Sequence, residues 1–71
     1  MTEILNSEKI TKEMAMYDLS TLKLSHDETD EYLDIISAIN DGQTVYNVTT
    51  DNGNYLFFVK GEAIKDSRKK V

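Results

Sequence analysis

No cysteine occurs in the sequence, which excludes disulfides and thiolate-based metal sites. The single histidine, His26, excludes a multi-histidine metal centre. The three glycines, Gly42, Gly53 and Gly61, are scattered, so there is no glycine-rich loop to cradle a phosphate. No serine sits in a G-x-S-x-G elbow. No apolar run approaches the roughly 20 residues of a membrane-spanning helix. The opening residues, MTEILNSEK, lack the basic stretch and apolar core of a secretion signal. The expectation is a cytoplasmic, non-enzymatic protein with no cofactor, no metal and no membrane contact.

A chain of 71 residues forms one domain at most. Domains of this size bury a thin core and often add disulfides, a metal or self-association. With the first two excluded, a homodimer is the support left open. The formal net charge is −5 and is unevenly distributed. Residues 1–59 hold eleven acids and three bases, whereas residues 60–71 hold two acids and five bases. An acidic body makes direct nucleic-acid binding by that body unfavourable.

The segment Gln43 to Lys60, QTVYNVTTDNGNYLFFVK, reads as a β-hairpin. Asn52-Gly53 suits a type I′ turn, which needs positive φ at both central residues. β-Branched and aromatic residues fill both arms. With Asn52-Gly53 as the loop, Thr50 faces Tyr55, Val48 faces Phe57 and Tyr46 faces Val59. Because side chains alternate along a strand, one face carries Tyr46, Val48, Thr50, Tyr55, Phe57 and Val59. The other mixes Val45, Leu56 and Phe58 with Asn47, Thr49 and Lys60. The first face is expected to be the core face. Leu56 and Phe58 also need cover, because burying each is worth roughly 1.5–3 kcal/mol. That cover can come from a helix of the same chain, a second copy or another protein.

Two helices are expected before the hairpin. The first starts near Ser7, capped by Asn6 or Ser7, with Ile10, Met14 and Tyr17 as its stripe. Leu22 and Leu24 alternate with Thr21, Lys23 and Ser25 and suggest a loop leading into a short third strand at 20–24, while Leu19 and Leu22 would equally suit an extension of the first helix. Ser25-His26-Asp27-Glu28 is a capping box. The helix it opens runs to about Asn40, buries Tyr32, Ile35, Ile36 and Ile39, and ends at Asn40-Asp41-Gly42. It is expected to fold back over the Tyr46/Phe57 face. After the hairpin, Gly61 breaks the strand, and residues 65–70 have nothing apolar to bury. The sequence therefore predicts an α+β domain over residues 1–64, two helices followed by a C-terminal antiparallel hairpin, with a frayed basic tail over 65–71.

The most charged feature is Asp27, Glu28, Asp30, Glu31 and Asp34. Asp27, Glu31 and Asp34 share one side of the second helix at i, i+4 and i+7, with Asp30 beside them. Such a strip can be a solvated helix start or a surface for a basic partner. The expected function is a protein-interaction module, a small regulator or inhibitor that binds another protein. Its partner-binding residues are Asp27, Asp30, Glu31, Asp34, Leu56 and Phe58. Three alternatives remain: an acidic decoy that occupies the groove of a DNA- or RNA-binding protein, a structural homodimer, and a weak nucleic-acid binder using Lys65, Arg68, Lys69 and Lys70.

Overall fold

The computed structural model describes residues 2–70. The order of elements is β1 (Ile4–Ile10), α1 (Lys12–Thr21), α2 (His26–Asn40), β2 (Thr44–Thr50), β3 (Gly53–Lys60) and β4 (Ala63–Lys69). The strands form one antiparallel sheet in the order β1-β2-β3-β4. The expected architecture, two helices and then a simple hairpin, is therefore corrected. A strand precedes the helices, and a fourth strand follows the hairpin.

Both additional strands are edges with little to bury. In β1 only Ile10 is buried, and in β4 every residue is exposed. They are held by backbone ladders, not by an apolar face. The helix expected from Ser7 begins only at Lys12, capped by Thr11, whose hydroxyl accepts from the Met14 amide at 3.2 Å. Residues 20 and 21 end α1 and residues 22–25 link it to α2, so the short strand expected at 20–24 is absent. Asp66 to Lys69, read from the sequence as part of a frayed tail over 65–71, pair along β3 instead, in one strand with Ala63 and Ile64. Gly61, at φ +63°, opens the two-residue turn between Lys60 and Ala63. Glycine at the first central position is what a type II′ hairpin turn calls for.

The capping box forms as the sequence indicates. Ser25 Oγ accepts from the Glu28 amide, and Glu28 Oε1 accepts from the Ser25 amide, both at 3.2 Å. At the far end Gly42 takes φ +85° and turns the chain into β2.

The central hairpin forms with its register shifted by two residues. Thr50 pairs with Gly53, Val48 with Tyr55, Tyr46 with Phe57 and Val45 with Phe58. No described residue other than glycine has positive φ, so the turn is not type I′. Neighbouring groups hold it differently. Thr50 Oγ1 accepts from the Asn52 amide and donates to the Gly53 carbonyl. The two residues ahead of β1 clamp the loop, with the Glu3 amide donating to Asp51 Oδ1 at 3.0 Å and Asn52 Nδ2 donating to Thr2 Oγ1 at 2.9 Å. An even shift preserves the alternation, so both hairpin faces keep the composition expected of them.

What changes is which face is covered. The core consists of Ile10, Ala15, Ile35, Val45, Leu56 and Phe58, with Tyr32, Ile36, Ala38 and Ile39 packed against it. The helices therefore lie on the mixed Val45/Leu56/Phe58 face, not on the Tyr46/Phe57 face. The demand that Leu56 and Phe58 be covered is met within the chain: Leu56 is 0% and Phe58 3% exposed. Part of the cover over Phe58 is the Arg68 guanidinium, 4.8 Å from its ring centroid, a cation–π arrangement.

α1 contributes mainly Ala15 to the core, while Met14, Met16 and Tyr17 are exposed. It is tied to α2 by the Tyr32 hydroxyl, which donates to Asp18 Oδ2 at 2.8 Å. No helix among the described residues is long and apolar enough to cross a membrane.

Candidate interaction surface

With both helices on one side, the other side of the sheet has no layer over it. Ladder partners share a face, so its occupants follow from the register. Lys9, Tyr46, Phe57 and Ser67 form one row across the four strands, and Ser7, Val48, Tyr55 and Lys69 form the next. Ile4 lies beyond one end, opposite Thr50, and Ile64 beyond the other, opposite Val59. Val48 is buried by its neighbours, the aromatic rings and Val59 are half-buried, and Ile4 and Ile64 are 63% and 67% exposed.

Shallow depressions of about 350 and 250 Å³ run over this face, one around Tyr55 and the other around Tyr46, with Phe57 and Val48 lining both. Seven apolar side chains thus form a continuous surface: Ile4, Tyr46, Val48, Tyr55, Phe57, Val59 and Ile64. Contiguous apolar patches of more than a few hundred Å² are uncommon on monomeric soluble proteins.

The charge on this face is as distinctive as its apolarity. Its only charged residues among those described are Lys9 and Lys69, at diagonal corners, and no acid lies in its rows. The acids lie on the helices, on the helix-facing side of the strands and in the turns, with Glu3 just ahead of β1. A protein of net charge −5 therefore presents one face that is apolar and weakly cationic.

The acids and hydrophobics singled out from the sequence lie elsewhere. Asp27 and Asp30 are exposed at the start of α2, and Asp30 lies 3.5 Å from His26. Asp34 is bridged by Arg68 of β4 at 3.1 Å, and Arg68 also contacts Asp66 at 3.3 Å. Glu31 is 5% exposed and is not without a partner. The four carboxylates therefore do not form one continuous strip. Leu56 and Phe58 lie under α2, so neither is presented to a partner. The basic C-terminal residues are divided: Arg68 serves α2, while Lys69 reaches the open face.

A polar recess of about 480 Å³ lies between α2 and β4 and includes Asp34, Asp41, Lys65, Asp66 and Arg68. Its charges are spent largely on one another. Among the described residues no three His, Asp or Glu side chains converge to hold a metal ion. One titrating group is strongly perturbed. Burial first, then the hydrogen bond and charge of Asp18, with Glu31 and Glu28 adding to them, push the Tyr32 phenol up to about 12. It joins the two helices and faces no cleft.

Sequence reasoning identified the residues of the open face in β2 and β3 but assigned them to the core. It missed the contributions of β1 and β4 entirely. The Gly61-Glu62 pair was the available signal for β4, because glycine at the first position of a two-residue loop suits a type II′ hairpin. No family model matches the chain, and no characterised protein or solved structure is recognisably similar to it.

Proposed function

We propose that the chain is a non-enzymatic protein-interaction module, a small regulator or inhibitor that acts by binding protein through the open face of its sheet. The observation that carries this reading is the pairing of a continuous apolar surface with an absence of acids on it, in a molecule that is otherwise acidic. A helix layer satisfies one side of the sheet, and a bound protein surface satisfies the other. Aromatic side chains at the centre with a polar rim are the usual composition of such contacts.

The test uses the full chain as bait against protein from its native cell. Ile4→Asp with Ile64→Asp alters two well-exposed side chains at the ends of the face, where substitutions change stability by about 0.5 kcal/mol or less. Capture should fall by about tenfold or more while the melting temperature holds, since each residue lost from an apolar contact costs on the order of 1 kcal/mol. Asp27→Asn with Asp30→Asn should leave capture unchanged. The reverse result, capture lost with the aspartates and retained without the isoleucines, would overturn this reading in favour of the acidic decoy.

A further inference from the structure

The two outer strands repeat one pattern. β1 reads Ile4-x-x-Ser7-x-Lys9, and β4 reads Ile64-x-x-Ser67-x-Lys69. Each carries its irregularity directly after the isoleucine, where Leu5 and Lys65 fall into the register shifts of the two edge ladders. The strands occupy opposite edges of an antiparallel meander, so they run in opposite directions. A half-turn about an axis normal to the sheet, between β2 and β3, therefore exchanges Lys9 with Lys69, Ser7 with Ser67 and Ile4 with Ile64. The same operation exchanges Tyr46 with Tyr55.

This layout has a consequence for stacking. Each lysine stands at one end of a row whose other end is a serine: Lys9 with Ser67, and Ser7 with Lys69. When a second copy is laid face to face about a two-fold axis between the layers, every lysine meets a serine. With the axis along the strands, Lys9 meets Ser67 of the second copy and Tyr46 meets its Phe57. With the axis across the strands, Lys9 meets Ser7 and Tyr55 meets Phe57. In neither arrangement does lysine oppose lysine.

The size is close to the lower limit for a specific interface. Four strands about 4.8 Å apart and seven residues long give a footprint of roughly 450 Å² per copy, about 900 Å² for two before the relief of the side chains is counted. A specific interface needs about 1,000 Å².

We infer that the open face pairs with a second copy of this chain, giving a helix–sheet–sheet–helix sandwich in which Lys9 and Lys69 lie against Ser7 and Ser67 of the opposite copy. The inference rests on the reading of this face as a protein-binding surface and names its occupant. Such an interface is isologous, the commonest kind in homodimers. It leaves the acidic helices of both copies outward.

The experiment is sedimentation equilibrium of the full chain with two charge variants. The wild type should move with concentration from 8.1 kDa to twice that mass. Ser7→Lys with Ser67→Lys sets lysine against lysine and should weaken pairing by about tenfold or more, because opposed like charges at an interface are costly. Ser7→Glu with Ser67→Glu sets carboxylate against lysine and should tighten pairing. Opposite responses from the same two positions cannot come from a shared folding defect.

A wild type that stays at 8.1 kDa at every concentration overturns self-pairing. It leaves the binding face itself to be judged by the isoleucine variants. A dimer that ignores both serine variants, or is weakened by both, overturns the face-to-face arrangement.

Discussion

At the scale of single residues, two side chains hold this small fold in different ways. Phe58 is enclosed by α2 above and Arg68 at its flank. Phe58→Ala should cost about 3–5 kcal/mol, against a total that for domains of ordinary stability is about 5–15 kcal/mol. Urea unfolding should show a large fall in midpoint or no folded baseline. Tyr32 links the helices through Asp18. Its phenol ionises at about 12 in the fold and at 10.0 as a free side chain, so its contribution is complete below pH 10 and is lost as pH rises toward 12. Tyr32→Phe should therefore be less stable than the wild type at neutral pH, with the difference shrinking over that window. Denaturant unfolding across the window, with a phenolate titration that loses its last phase in the variant, measures this.

At the scale of elements, α2 was legible because its start, stripe and stop agree. Ser25→Ala removes one half of the capping box and should lower stability by about 1 kcal/mol, a melting shift of about 4–8 °C for a domain of this size. The two central strands were legible through β-branched and aromatic residues alternating about a turn. Their register was not, because the hydroxyl of Thr50 and the contacts from Thr2 and Glu3 decide the turn, and the sequence places Thr2 and Glu3 far from it. β1 and β4 were illegible for another reason. An edge strand can be sustained by backbone pairing alone, so ILNSEKI and AIKDSRK show no period-two pattern of burial. β4 is nonetheless structural: it pairs β3 and sets Arg68 over Phe58 and against Asp34. Ending the chain at Lys60 should abolish the cooperative melting transition seen by circular dichroism, whereas loss of a loose tail would leave it in place.

At the scale of the molecule, local patterns rank the two sheet faces by apolarity, and the more apolar one was expected to meet the helices. The ranking is right, but it does not say what supplies the cover. The helices take the face that Ile10 joins, and the face with Ser7, Lys9, Ser67 and Lys69 at its margins has no layer of this chain over it. Its acid-free character depends on all four strands together, so it could not be read from the hairpin alone. The Ile4/Ile64 variant and the paired serine variants probe this level of organisation. The outer strands add a restriction of their own. Both are interrupted after their isoleucines, and both are dense in charge, with Glu8, Lys9, Lys65, Asp66 and Arg68 along them. Sheets protected in this way resist lengthening by lateral addition of further strands. Assembly directed onto the flat of the ribbon is self-limiting, and fibre growth along its rims is discouraged.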